Sequence, residues 1–273
     1  MRHHLRALFV CDGVPYPADQ GDRIRCHHIL LALAATYRVT LVCPVSSPVP
    51  EEAIRNLRRV CEDVVLVRRP AYEAIAGPLL HPFLPLTVSR RWSPRLHSLL
   101  RRIAGERHFD VTFAYQLKMV PYALAASGGL VAADLTDCIS LYLRRSAGRE
   151  SNPAIRALLA LEARRVERYE RLTCRSIDLV SVSSSVDQSA LNSIGSGAPV
   201  APILVVPNGA PREAAAMTAR RLPEPRDGLP SLLARLRQLG GANIVFLGNM
   251  GYPPNEDAAI WFARDVFPLV RKV

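Results

Sequence analysis

The sequence lacks the run of about 20 apolar residues that a membrane-spanning helix needs. Its N-terminus, MRHHLRALFVCDG, has too short an apolar stretch for a secretory signal peptide and carries an early aspartate. The six cysteines show no C-x-x-C spacing, and several lie in apolar, strand-like runs. These absences predict a cytoplasmic protein with free thiols, and they exclude a zinc site and a disulfide framework.

The glycine motifs of the common nucleotide-binding loops are absent as well. Residues 9–43 begin like a nucleotide-binding βαβ unit but contain neither G-x-G-x-x-G nor G-x-x-x-x-G-K-[ST]. Gly21 is predicted at a helix N-terminus, where free N–H groups and the helix dipole favour an anion. Arg23 or Arg25, in the first helical turn, would add a charged contact. In the alternative interpretation, Gly21 only serves a tight turn and both arginines face water.

Acidic residues are fewer than basic ones, 24 against 35, which gives a formal net charge of +11. A field of this sign attracts nucleic acid, anionic lipid or phosphorylated ligands. The charge is concentrated in residues 88–108 and 154–175, both with helix-like apolar spacing. No RNA-binding aromatic motif, zinc finger or helix-turn-helix accompanies it, so nucleic acid is not expected as a partner. Solvated helix faces and an anionic membrane surface are the two interpretations that stay open.

Short apolar runs alternate with amphipathic helical segments over the first three quarters of the chain. Seven runs have strand character: RALFVCD, RVTLVCPV, DVVLVRR, FDVTFAY, GGLVAADLTD, IDLVSVSS and APILVVPNG. Such alternation predicts an α/β fold in which a Rossmann-like, doubly wound parallel sheet is covered by helices on both faces.

The pattern predicts three regions. Residues 1–207 form the Rossmann-like domain, and residues 208–241, rich in proline, alanine and charge, form a linker. Residues 242–273 restart the pattern with the strand ANIVFLGNM and the helix NEDAAIWFARDVFPLVRKV. One strand and one helix cannot bury a core of their own, so this last region is expected to be the first βα unit of an incomplete second domain.

Several segments occur in an order that is typical of one enzyme family: PYPADQGDRIR, DLTD, EARRVERYE, SVSSSVD, VVPNG and, above all, VFLGNMGYPPNEDAAIWFARDVFPLVRK. They resemble the sugar transferases associated with bacterial exopolysaccharide loci of the PEP-CTERM type, within family 4 of the retaining GT-B glycosyltransferases. The resemblance covers nearly the whole chain. It implies that residues 1–207 are the acceptor-side domain and that the FLGNM strand opens the donor-binding domain, most of which would lie beyond Val273.

The resemblance also implies substrates and site residues. It implies a nucleotide-sugar donor and a glycan or lipid-linked acceptor, with no metal and no cofactor. The predicted substrate-binding and donor-phosphate-binding residues are Gly21, Asp22, Arg25, Asn208, Gly209 and Gly248. The predicted catalytic residues are Asp134 and Asp137, which follow a strand where open α/β sheets bind ligands. Many family members have a histidine in this neighbourhood, so that role is not transferred.

For several of these residues, a purely structural role is the alternative to a functional one. Asp137 is equally suited to cap the next helix, and Asn208 to form a turn in a left-handed conformation. For Glu162, an ion pair with Arg165 is favoured over catalysis, whereas Glu170 has no such partner in the sequence pattern. The adjacent histidines at positions 27 and 28 are expected to be structural.

The sequence thus predicts a glycosyltransferase of cell-surface or exopolysaccharide synthesis, cytoplasmic and peripheral on the inner membrane face. The chain alone is expected to be inactive, because the family's basic pair and glutamate pair for the donor would lie beyond Val273. Two alternatives stay open: a non-catalytic module that docks on a membrane or partner, and a nucleotide-sugar epimerase of the same GT-B fold.

Overall fold

The computed structural model describes residues 5–195, 200–209, 244–246, 248, 250–251 and 253–271. The chain divides into two compact units, Met1–Gly209 and Ala210–Val273. The first unit contains the sheet and nearly all of the described helices. Among the described residues no helix is long and apolar enough to cross a membrane.

The first unit is built on a seven-stranded sheet in the order β3-β2-β1-β4-β5-β6-β7. Every neighbouring pair of strands is parallel. The strands are β1 (Arg6–Val10), β2 (Arg38–Val45), β3 (Asp63–Arg68), β4 (Val111–Tyr115), β5 (Leu130–Thr136), β6 (Leu179–Val182) and β7 (Ile203–Val205). The predicted α/β fold with a doubly wound parallel sheet is confirmed, and each of the seven apolar runs contains one strand.

Nine helices connect or follow these strands in the described part of the first unit. They are α1 (Gly21–Ala34), α2 (Glu51–Arg58), α3 (Glu73–Leu80), α4 (Leu86–Ser89), α5 (Pro94–Glu106), α6 (Val120–Ala125), α7 (Ile139–Arg149), α8 (Pro153–Ser176) and α9 (Ser185–Ile194). Three begin with a side-chain cap: Ser93 caps α5, Asn152 caps α8 and Ser184 caps α9. The two basic segments of the sequence fall largely within α5 and α8.

Helices cover both faces of the sheet, and alternation along β1 shows how. Leu8 and Val10 belong to a buried cluster that includes residues of α5, α6, α8 and α9. Phe9, on the opposite face, stacks on Phe113 and belongs to a cluster with residues of α1 and α2. Side chains of successive strand residues point to opposite faces, so a strand covered on both sides reads as a continuous apolar run.

All six cysteines are free and buried, as the scattered spacing predicted. Burial raises the pKa of the Cys61 thiol to about 12 and that of Cys174 to about 11. The buried thiols therefore act as small apolar side chains of the core.

In the second unit, the described residues form one helical stretch. Helix α10 (Pro253–Trp261) continues through a π-helical turn (Phe262–Val266) into α11 (Phe267–Val270), which matches the predicted helix. Residues 244–246 have no strand structure, and residues 210–241 of the predicted linker and part of the predicted strand lie outside the described residues. The division into a linker and a first βα unit stays a prediction.

Candidate functional site

The strand order fixes where a ligand site is expected. The chain continues from β1 to β2, which pairs with one edge of β1, whereas β4 pairs with the other edge of β1. In doubly wound sheets, ligands bind outside the carboxyl ends of the strands at such a switch point. The relevant segments here are the loop after β1, from Cys11 to Gln20, and the short turn after β4 at residues 116–119.

A charged cluster lies at the switch point. Asp12 directly follows β1, and its Oδ2 lies 2.6 Å from Lys118 Nζ and 3.3 Å from Arg91 Nε. The Asp12 side chain is mostly buried, whereas Arg91 is substantially exposed. Two cations on one carboxylate leave the cluster with an excess positive charge. The sequence pattern does not indicate this cluster, because Asp12 and Lys118 are far apart in the chain and meet only through the pairing of β1 with β4.

Three residues near this edge have a positive φ. Gly13 has φ 107°, Gln116 has φ 75° and Thr136 has φ 65°. Gln116 and Thr136 lie at the carboxyl ends of β4 and β5, and L-residues with side chains rarely adopt this conformation. The Gln116 N–H donates to the Asp134 carbonyl at 2.7 Å, which helps to hold this backbone. Such conformations are enriched at functional sites, so they support the assignment of a site to this edge.

A second cluster is organised by Arg25 on the buried face of α1. Its Nε and Nη2 donate to the two carboxylate oxygens of Asp134 at 3.0 and 2.6 Å. Its Nη1 donates to the Val206 carbonyl at 2.7 Å and to Asn208 Oδ1 at 2.9 Å. Burial lowers the pKa of Arg25, but the hydrogen bond and charge of Asp134 outweigh it, and the net shift is upward. The predicted phosphate contact of Arg25 would compete with these partners.

Asp134 has no exposed surface and no free carboxylate oxygen. Besides Arg25, it accepts from Ser181 Oγ at 2.6 Å and from Thr136 Oγ1 at 3.1 Å. A catalytic acid or base must reach the substrate, and this carboxylate does not reach the surface. The predicted catalytic role of Asp134 stays untested, and the geometry favours a role in positioning Arg25.

Asp137 differs from Asp134 because it is exposed at the same edge. Its Oδ1 accepts from Ser183 Oγ at 3.0 Å. Partial burial raises the pKa of Asp137, and the hydrogen bond from Ser183 opposes that shift. Helix α7 begins at Ile139 with Cys138 as its N-cap residue, so the capping alternative for Asp137 is wrong.

Gly21 is the first residue of α1, as predicted, but it does not need to be glycine for backbone reasons. Its φ is outside the left-handed region, and a Cβ at this position would meet nothing within 4 Å. Asp22, the next residue, has an exposed side chain, and its carbonyl accepts from the Tyr115 hydroxyl at 2.8 Å.

The remaining predicted binding residues fall in different places. Asn208 joins the Arg25 cluster, and its φ is not positive, so the left-handed turn proposed for it is wrong. Gly209 is exposed at the end of the first unit. Gly248 lies in the second unit, where a Cβ would come 3.0 Å from the Asn255 Nδ2. The structure thus brings together Arg25, Asp134 and Asn208 from the predicted set.

Two further sequence expectations concern acidic residues of α8. Glu162 pairs with Arg165 at 3.6 Å, as expected. Glu170, for which no partner was expected, is fully buried and accepts from the Ser140 N–H at 3.2 Å at the start of α7. A carboxylate at a helix N-terminus is favourable, although burial still raises the pKa of Glu170.

The histidine pair agrees with its structural interpretation. His27 stands near the Tyr16 ring, and its pKa is lowered by burial and by His28. In the described part of the chain, no three His, Cys, Asp or Glu side chains are grouped in a way that could hold a metal ion.

Comparison with known proteins gives only partial likenesses. No protein-family model and no curated protein sequence matches the chain. Sucrose-phosphate synthase from Thermosynechococcus elongatus shares 15% identity with a TM-score of 0.48, over 86% of this chain and 60% of that one. UGT71G1 from Medicago truncatula, solved with UDP-glucose, shares 10% identity with a TM-score of 0.47, over 87% and 58%. UGT2 from Phytolacca americana, solved with UDP-2fluoro-glucose and pterostilbene, shares 13% identity with a TM-score of 0.47, over 81% and 58%.

These likenesses are too weak to identify a family or an activity, since the identities are at most 15% and each TM-score is below 0.5. The chain also spans only about three fifths of the length of these three structures, with shares of 60%, 58% and 58%. The observed sheet order is therefore what defines the fold here.

Proposed function

We propose that this chain is the acceptor-side part of a glycosyltransferase that moves a sugar from a nucleotide-sugar to a hydroxyl of a lipid-linked or oligosaccharide acceptor. The observation that supports this most is the polar, positively charged carboxyl edge of a doubly wound parallel sheet, at which Asp12, Lys118 and Arg91 meet. The sequence resemblance to family 4 of the retaining GT-B enzymes supplies the reaction class, and no metal or cofactor is required.

Asp137, which is exposed, and Asp12, whose side chain is 9% exposed, would bind the acceptor. Asp12 would accept a hydrogen bond from an acceptor hydroxyl while it stays paired with Lys118 and Arg91. Asp137, exposed at the end of β5, would contact a second hydroxyl. Asp134 would act through Arg25 as a positioning residue. Stabilisation of the departing nucleotide diphosphate would be mainly electrostatic, and the excess positive charge of the Asp12 cluster has the sign that this needs.

The finer parts of the proposal follow the resemblance. We propose a retaining reaction in cell-surface or exopolysaccharide synthesis, in the cytoplasm on the inner membrane face. We also propose that residues 1–273 alone transfer little sugar, because the donor contacts of the family have no counterpart in this sequence.

The test is a transfer assay with a panel of nucleotide-sugars and lipid-extract acceptors, applied to this chain and to any longer product of the same reading frame. Asp12→Asn and Asp137→Asn should reduce transfer at least about tenfold, since each removes a charge-assisted contact. Asp63→Asn is the matched control, because Asp63 also pairs with an arginine but lies at the amino end of β3.

Other outcomes would contradict the proposal. Epimerisation of the donor sugar without its transfer to an acceptor would indicate the epimerase alternative. Absence of any turnover by the longer product with every donor, in a protein that still folds, would indicate a non-catalytic module. Equal losses in Asp63→Asn and Asp12→Asn would show that the carboxyl edge is not the site.

A further inference from the structure

Large apolar side chains are exposed on two neighbouring parts of the first unit. On α3 and in the loop after it, Ile75 is 71% exposed, Leu79 77% and Phe83 95%. On the first half of α8, Leu158 is 58% exposed and Leu161 55%. We call these five residues, together with Leu80 at 65%, the apolar patch.

The two parts of the patch lie side by side. Arg165 of α8 donates through Nη2 to the carbonyl of Leu84 at 2.6 Å and also to that of Pro82. These carbonyls flank Phe83 in the chain. Leu158 and Leu161 precede Arg165 by seven and four residues, so they lie on the same face of α8, one to two turns toward its N-terminus. Phe83 and the two leucines therefore belong to one surface.

The part of this surface that lies on α8 projects from the rest of the first unit. Helix α8 has 24 residues, which corresponds to a length of about 36 Å. Its buried residues all lie between Glu162 and Cys174, so the earlier turns are not covered by the sheet. Helix α7 begins directly after β5 and packs along α8. The two helices form an antiparallel pair whose free end projects past the carboxyl end of β5.

Arginines outnumber acidic residues around the patch, and the two glutamates nearest to its residues in the chain, Glu73 and Glu162, are buried. Residues 74–105 contain five arginines and no aspartate or glutamate, and residues 151–161 contain Arg156 and no acidic residue. Arg90 and Arg95 are exposed; Arg156 is exposed as well but lies on the face of α8 opposite to Leu158 and Leu161. Exposed apolar side chains rimmed by arginines match the interface of an anionic bilayer, where apolar groups enter the acyl boundary and each basic residue adds attraction. A protein partner of this chemistry would instead need an acidic, apolar surface.

We propose that the apolar patch and its arginine rim form a docking surface for an anionic lipid bilayer. A short segment of chain connects the patch to the candidate site, because Arg91, eight residues after Phe83, pairs with Asp12 at the carboxyl end of β1. Docking would thus bring this edge next to the membrane, where a lipid-linked acceptor resides. That last step rests on the proposed function, whereas the docking itself does not.

The test is sedimentation of the protein with vesicles of phosphatidylglycerol and phosphatidylcholine, compared with phosphatidylcholine alone, without any nucleotide-sugar. Binding is expected only to the anionic vesicles and is expected to fall as salt is raised above about 0.1 M. Phe83→Glu and Leu158→Glu should each lower the partition constant at least about tenfold, because each loses an inserted side chain and adds a repelled charge.

Leu172→Glu is the matched control. Leu172 lies on the same helix and is 50% exposed, but it is fourteen residues, or about 21 Å, from Leu158. That distance exceeds the Debye length of about 10 Å at 0.1 M salt, so its added charge should change binding little. Arg90→Gln should weaken binding about fivefold, the equivalent of one basic residue at the surface, whereas Arg156→Gln, on the opposite face of α8, should weaken it less.

Three outcomes would overturn the proposal, and one would support it. Equal binding by Leu158→Glu and Leu172→Glu, with both variants folded by circular dichroism, would overturn the proposal. So would no binding of the unmodified chain to anionic vesicles, or a wild-type dimer that Phe83→Glu converts to a monomer, since a second copy would then cover the patch. Vesicle binding with the expected variant pattern supports the proposal even if no sugar transfer is found, which would count against the proposed function alone.

Discussion

Replacing Asp134 by asparagine should strongly lower the free energy of unfolding of the first unit, although Asp134 itself has no exposed surface. Asp134 and Arg25 form a bidentate pair whose side chains are 0% and 5% exposed. The substitution keeps the shape of the side chain but turns one acceptor into an amide that faces a guanidinium donor. It also leaves the arginine charge buried without its counterion. Removing one partner of such a pair typically costs about 3–5 kcal/mol.

The loss is large enough to measure by urea unfolding followed with far-UV circular dichroism. With a slope of about 2 kcal/mol per M, the midpoint should fall by about 1.5–2.5 M. Arg23→Ala is the matched control, since Arg23 lies two residues from Arg25 on the same helix and pairs with Asp19, but with side chains 40% and 55% exposed. Such exposed pairs contribute at most about 1 kcal/mol.

The comparison has a definite refuting result. If Asp134→Asn is no less stable than Arg23→Ala, Arg25 does not hold Asp134 and the end of β7 together. Replacing both Arg25 and Asp134 by leucine provides a second check. It should recover part of the loss, because no unpaired charge then stays buried.

Three other predictions concern single positions. Gly21→Ala should be neutral or stabilise by up to about 1 kcal/mol in thermal unfolding, whereas Gly129→Ala should destabilise, since its Cβ would lie 2.6 Å from a backbone oxygen; the reverse order would contradict the assigned backbone. Burial raises the pKa of Glu170, so the stability contributed by its protonated form is fully present below the unfolded pKa and is lost as pH rises through the folded pKa. Glu170→Gln should therefore make the free energy of unfolding depend less steeply on pH above about 4.5, and an unchanged slope would refute this. The six buried thiols, with Cys61 at a pKa of about 12, should react with a chromogenic disulfide at pH 8 only after unfolding, and rapid labelling of the native chain would refute their burial.

Most of the fold was predictable because buried parallel strands have a simple sequence pattern. A strand such as β1, covered on both faces, is apolar at every position after Arg6 and stands out from its polar flanks. The segment between β3 and β4 was less predictable. Helix α3 contains Pro78 and carries Leu79 and Leu80 exposed, so neither helical propensity nor burial periodicity identifies it.

The sequence pattern predicts where in the fold the candidate site lies, but it does not predict which side chains pair with one another there. The prediction that Asp134 follows a strand is wrong in detail, because Asp134 is the fifth of the 7 residues of β5 and lies near its carboxyl end rather than beyond it. Its partner Arg25 is 109 residues away in the sequence, and no local pattern links the two. The same holds for Asp12 and Lys118, which come together only because β1 and β4 are neighbours in the sheet.

The three carboxylates at this edge can be ranked by what a substrate would have to displace. Asp134 would have to give up four donors and leave a fully buried position. Asp137 is exposed and would give up one hydroxyl donor, which water or a sugar hydroxyl replaces with little loss. Asp12 keeps both cations while a ligand approaches, and those cations lower the cost of bringing a further anion near. A sugar hydroxyl should therefore bind at Asp137 or Asp12, and Asp134 should affect transfer only through the stability of the edge that carries them.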